Sequence, residues 1–364
     1  MSQTTLDILT QSEQVTGHEL ESLLENFHNG AERVANDPVE CAEMYRFIQK
    51  INPEFVPDDY SDNPKANILA NVVAGIYAPM LHCFTETILD NIEAGILPPV
   101  LVAPPRDAYP IVTSLRAQMD KRKKYYPIIT PPVNRITAGI PNAQGLVKVT
   151  QDPLFMEMLG QQFGDYLSTG YVELETGIYG TTSLAMARAL KSIGMVGNCV
   201  SIKFYGLGSN NSFVHALLSN NGEWNAQNCE ASGFVNIEQI AALMVLLDSL
   251  EEYGMQNSHK SFPSLERAEK GIIQGVKFPV SPEESQIALA TNMAIYRTAA
   301  KFDKSKSKQV TLNILNNIKD LTAVVKEKGW PLMLEKAIPP MSQPTAHFQE
   351  MMQANVFAYP NLKL

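Results

Sequence analysis

From Pro64 to Ala94 the apolar positions Ile68, Leu69, Val72, Val73, Ile76, Met80 and Leu81 recur at helical spacing, but over too wide an arc for one stripe. The pattern predicts a long helix buried on more than one face, closed by Gly95 and kinked or divided near its middle by Pro79. Upstream, Thr16 and Glu19 form a capping-box pair opening a helix with Leu20, Leu23, Leu24 and Phe27 on its apolar face, and a further helix is predicted over Val39 to Ile51. After Gly95 the period changes. Leu97 to Ala103 is an unbroken apolar run ended by Pro104-Pro105, the signature of a strand covered on both faces. Helical spacing returns over Ile111 to Met119, a strand follows at Tyr126 to Thr130, and residues 153–168 read as helix. Tyr171 to Leu174 is β-prone, Ser183 to Ile193 is helical with Leu184, Ala187 and Leu190 inward and Gly194 as its stop, and Cys199 to Tyr205 is again strand.

Strand and helix thus alternate from residue 97 to about 218, which predicts an α/β fold: a parallel sheet with helices on its faces, extended by helical segments at both ends. The organisation expected is a helical N-terminal segment over 1–95, an α/β domain over 96–220, a helical C-terminal segment over 221–340 and an irregular proline-containing tail over 341–364. Within the C-terminal part, Ile237 to Tyr253 is amphipathic, Ser281-Pro-Glu-Glu opens a helix running to about Phe302, and Val310 to Lys328 is closed by Gly329. The tail suits wrapping the body, a second copy of the chain or another protein.

Composition narrows the classes. With 364 residues the chain can bury a large core. A formal net charge of −9 argues against a general nucleic-acid binder, which needs a basic face. The basic runs at Lys121 to Lys124 and at Lys301, Lys304, Lys306 and Lys308 read as solvated helix ends. Four scattered cysteines, Cys41, Cys83, Cys199 and Cys229, fit a reduced, cytoplasmic interior rather than a disulfide framework. The first residues lack a basic start followed by an apolar core, so no export signal is expected, and the apolar stretches near 67–82 and 236–247 are too short or interrupted to predict a membrane span. His82 and Cys83 read as a packed core pair, and His215 as a core histidine on an apolar helix.

Candidate chemistry sits in two strand-ending loops, which a parallel sheet gathers at its carboxyl edge. The first is Ala103 to Pro110. Here Pro105 stiffens the turn, Arg106 offers a planar fork for phosphate, and Asp107 can orient it or hold a cation. The second follows Tyr171 to Leu174. Glu173 and Glu175, two apart, share a side of the strand, and Thr176, Gly177, Tyr179, Gly180, Thr181 and Thr182 turn amides and hydroxyls toward whatever lies over the following helix N-terminus. That pattern points to a ligand with a phosphate and hydroxyls.

Together these segments resemble the type I phosphoribosyltransferases over residues 97–205. Val100 to Ile111 looks like that family's pyrophosphate-holding element. The later loop is similar to its ribose-phosphate loop, with Glu175 on the second acid, Gly180 on the loop glycine and Thr182 on the last hydroxyl. Leu174 stands where the family has its first acid, and Tyr179 where it has a threonine. The resemblance implies a bound phosphorylated sugar or nucleotide, Mg²⁺ bridging pyrophosphate and ribose hydroxyls, Arg106 stabilising the leaving pyrophosphate, and a mobile loop at 127–145 carrying Arg135. Two other readings stand beside transfer: a non-catalytic scaffold or ligand sensor acting through partners, and a phosphohydrolase using Asp107 as nucleophile, although Tyr109 replaces the second Asp usual there.

Overall fold

The computed structural model describes residues 31–104, 108–133, 153–175, 186, 189–197, 199–204, 215–218, 224–227, 265–275 and 281–313. The helices predicted near Thr16, at Ile237 to Tyr253 and beyond residue 313 lie outside these residues, as does the tail.

Three helices open the described chain: α1 (Ala31–Asn36), α2 (Pro38–Ile51) and α3 (Pro64–Glu93). Each of the two longer ones starts where an Asx side chain precedes a proline. Asp37 accepts from the amides of Val39 and Glu40, and Asn63 from that of Ala66, while Pro38 and Pro64 occupy a first position that has no amide to satisfy. Pro79 neither breaks nor divides α3; instead Val73–Tyr77 widens into a π turn. A proline at 79 cannot donate to the carbonyl four residues back, that of Gly75, and the buried Asn52 side chain donates to that carbonyl at 3.0 Å. Gly75 is also where α2 crosses, since a Cβ there would lie 2.1 Å from Ile48 Cγ2. By length and composition α3 could cross a membrane, yet its most apolar stretch of 18 residues is wholly buried in the protein's own core.

Four parallel strands follow: β1 (Leu101–Val102), β2 (Ile128–Ile129), β3 (Tyr171–Glu175) and β4 (Cys199–Lys203), in the order β2-β1-β3-β4. They are joined through α4 (Tyr109–Arg122) and α5 (Pro153–Phe163), with further helical residues at 186 and 189–192 before β4. The α/β alternation predicted from residue 97 is therefore present. Alternation along the strands divides the core in two. Leu101, Ala103, Val172, Leu174, Ile202 and Phe204 pack with α3 and α4. On the other face Val100, Val102 and Tyr171 pack with Phe155, Met158, Leu159 and Phe163 of α5 and with Met186, Ala189 and Leu190.

Beyond β4, β5 (His215–Leu218) pairs antiparallel with β6 (Trp224–Gln227), so His215 opens a strand rather than lying on the helix expected there. The apolar run that read as helical is equally compatible with a strand. Within the segment expected to be helical, β7 (Leu265–Arg267) and β8 (Ile273–Gly275) form another antiparallel pair. It is seated on α5 by the fork of Arg267 on Glu157, at 2.7 and 2.6 Å, and by Gln161 on the Gly271 carbonyl. Then α6 (Pro282–Lys301) begins at the capping box of Ser281 and Glu284, as the sequence predicts. The last described helix, α7, covers residues 304–313. Both terminal helical segments share one core with the sheet, since Ala290, Ala294, Ile295 and Val310 join the cluster that holds α3. They are the cover of one sheet face rather than appendages.

The basic run at 121–124 also departs from expectation, because Arg122 is drawn inward. Its guanidinium meets Glu86, Asp90 and Glu93 of α3 at 2.6, 2.8 and 2.9 Å, three acids at i, i+4 and i+7 that line one helix face. Burial opposes the charge on Glu86, but hydrogen bonds and charge from His82 and Arg122 outweigh it and hold the carboxyl at about 2, below its ordinary 4.5. Because the folded value is the depressed one, this contribution is complete above pH 4.5 and is lost as pH falls toward 2. Thermal denaturation followed against pH should show wild type more stable than Glu86→Gln above pH 4.5, with the gap closing toward pH 2; a gap constant with pH contradicts the assignment. Replacing Gly75 by alanine should cost about 1–3 kcal/mol in urea unfolding by overpacking against Ile48. Gly160→Ala, with nothing within 4 Å of the new Cβ, should be neutral or stabilising by up to about 1 kcal/mol.

Candidate functional site

β1 and β3 are neighbours, with Leu101 beside Val172 and Val102 beside Glu173. From β1 the chain passes through α4 to β2 on one side, and from β3 it passes to β4 on the other. Strand order therefore reverses between β1 and β3, and at such a point the two outgoing connections separate and leave a crevice beyond the carboxyl ends. The two segments singled out from the sequence leave from these two ends. Val102, Ala103 and Pro104 lead into 105–107, and Glu175 leads into 176–182.

Of the predicted site residues, the side chain of Glu173 and the backbone of Glu175 fall within the description. Pro105, Arg106, Asp107, Arg135, Thr176, Gly177, Tyr179, Gly180, Thr181 and Thr182 lie outside the described residues. Glu173 is fully buried. Its strand pairs with β4 without interruption from Tyr171 to Glu175, so the two-residue alternation used to group positions 173 and 175 holds in the backbone. Leu174 is fully buried on the opposite face, among the residues packed with α3.

One feature at this edge was not read from the sequence. Glu175 and Lys203 form the last rung between β3 and β4, a juxtaposition set by tertiary register; its one sequence signal is a lysine closing the otherwise apolar Cys199–Lys203 run. The helix expected over Ile111 to Met119 begins directly after 105–107, with Ala108 as its N-cap and Pro110 in its first turn; the Ala108 side chain makes no capping bond, so the positive end of α4 faces this edge. At β4's end Phe204 is fixed between Tyr77, edge-on at 5.6 Å between centroids, and Phe84 at 5.1 Å. The π turn that carries Tyr77 thus anchors the carboxyl end of β4.

Among the described residues no three His, Cys, Asp or Glu groups converge as a metal site. Glu173 is the one carboxylate at this edge whose side chain is described, and it is fully buried. The start of α4 and the adjacent ends of β1 and β3 lie at this edge, where the positive end of a helix favours an anion.

No protein-family model matches the chain, and no curated protein matches its sequence.

Leu174→Asp tests the face assignment. An unpaired carboxylate on the helical side of β3 should abolish cooperative folding or cost more than about 4 kcal/mol, read by circular dichroism and urea unfolding. A fully folded variant of wild-type stability contradicts the burial of that position.

Proposed function

We propose that the chain binds a phosphorylated sugar or nucleotide in the crevice beyond the carboxyl ends of β1 and β3, on a sheet of phosphoribosyltransferase-like type. One observation carries the reading. The two loops that the sequence marks for phosphate and hydroxyl recognition leave from the adjacent strand ends between which the strand order reverses. On this reading Arg106 grips a phosphate through its planar fork, the amides of 176–182 and the start of α4 add uncharged donors, and Glu175 accepts from ligand hydroxyls.

Transfer of a phosphoribosyl group with release of pyrophosphate is the activity that the resemblance implies. Its catalytic weight would rest on positioning and on Arg106 placed where charge develops on the leaving group. A second reading, a ligand sensor or scaffold without turnover, is favoured by Leu174. The position where the resemblance calls for an acid is occupied by a side chain locked into the helical core.

Isothermal titration with phosphoribosyl pyrophosphate, with and without Mg²⁺, tests the binding claim. Wild type should give saturable heat, and Arg106→Ala and Glu175→Ala should each weaken binding by roughly tenfold or more, as loss of a charge-assisted hydrogen bond implies. Identical heats in all three proteins overturn the proposal. Pyrophosphate release over a panel of nucleobase acceptors then separates transferase from sensor: binding without release supports the sensor.

A further inference from the structure

A continuous polar chain runs through the helical layer over the sheet. Fully buried His82 of α3 faces Ser307 of α7 through Nδ1, at 2.7 Å, and Glu86 through Nε2, at 3.0 Å. The other Glu86 oxygen holds Arg122 at the end of α4 at 2.6 Å. Gln118 of α4 donates to the His82 carbonyl at 3.1 Å and to Thr85 at 2.6 Å, and Thr85 in turn meets Ser114 at 2.8 Å. Three segments far apart in sequence are joined here, and both ends of the chain serve elements that matter elsewhere. Ser307 lies in the last described helix, and α4 begins directly after 105–107 at the proposed site.

The chemistry fixes the direction of these bonds. Glu86 stays ionised, so the Nε2 edge of His82 that faces it at 3.0 Å carries the proton, and the Ser307 hydroxyl serves Nδ1. Withdrawing Ser307 removes the group serving Nδ1 of a fully buried ring. The ring then gains by reorienting, which ends its contact with Glu86 and frees that carboxylate from the geometry holding Arg122. Around this chain α7 is also held by Val310 in the core, by Asn313, which donates to the Ile51 carbonyl at 3.0 Å, and by peripheral pairs that salt weakens, Lys304 with Asp90 and Lys306 with Glu54, each at 2.7 Å.

We propose that α7 is a regulatory strap: its docking, sensed by His82 through Ser307, sets the position of α4 through Glu86 and Arg122, so release of the strap loosens the helix that follows the first site loop. The coupling stands on the described side chains alone; its consequence for ligand binding rests on the proposed site.

Hydrogen exchange read by mass spectrometry on the full-length protein, without ligand, tests the coupling separately from the site. Ser307→Ala should speed exchange in 304–313 and, by roughly tenfold, in 111–122. Val310→Ala, which releases the same helix without removing the Ser307 hydroxyl, should speed exchange in 304–313 and, because release withdraws Ser307 from His82, in 111–122 as well. Glu86→Gln, at the far end, should speed exchange in 304–313, since coupling is reciprocal. Effects confined in each variant to the mutated helix, or equal acceleration in 153–163 on the other sheet face, overturn the proposal. If coupling holds while phosphoribosyl pyrophosphate gives no heat with wild type, the strap stands and the proposed ligand falls.

Discussion

A parallel strand has no face it can leave in water, and everything in this molecule follows from covering four short ones. β1 and β2 have two residues each, too few to stand without dense packing on both sides. One face is covered by α5, the helical residues before β4, and Leu265 and Ile273 of the β7–β8 pair. The other face is roofed by α3, whose central turns are apolar on more than one face because α2, α4 and α6 must in turn pack on it. That requirement explains why a helix apolar enough for a membrane sits in the centre of the fold, and why helices from both ends of the described chain share one core with the sheet.

A roof of this kind needs something to fix its register, since apolar surfaces slide at little cost. Two devices supply it. At the π turn, Pro79 withholds an amide, Asn52 reaches in to the Gly75 carbonyl, and a missing side chain at 75 lets α2 approach. At the other end, the Arg122 clasp on three acids and the buried His82 tie α4 to α3. Buried polar groups cost stability unless every partner is in place, and in return they leave few alternative alignments. Both devices bear on the sheet's carboxyl edge, the first through Tyr77 and Phe204, the second through α4.

Much of this was legible in the sequence because it is local. The helix caps at Asn63 and Ser281, the stops at Gly95 and Gly194 with φ of 72° and 99°, and the apolar runs of β1 and β3 announce themselves through residues a few positions apart. What stayed hidden depends on partners distant in sequence. Nothing in Lys121 to Lys124 says that Arg122 alone turns inward, because its acids lie 29 to 36 residues earlier. His82 reads as one more core residue until Ser307 arrives 225 positions later. His215 was misread because a short apolar run fits strand and helix alike. At the candidate site, alternation correctly separated Glu173 from Leu174, whereas the meeting of the two loops at a reversal of strand order, and the rung of Glu175 with Lys203, needed the topology.

The central claim is one of place: a phosphorylated ligand sits beyond the carboxyl ends of β1 and β3. Crystals soaked with ribose 5-phosphate and Mg²⁺ test it most directly. Difference density spanning the ends of β1 and β3, within reach of Arg106 and the amides after Glu175, is the predicted result. Density confined to another surface, with that crevice filled by the protein's own side chains, contradicts the account.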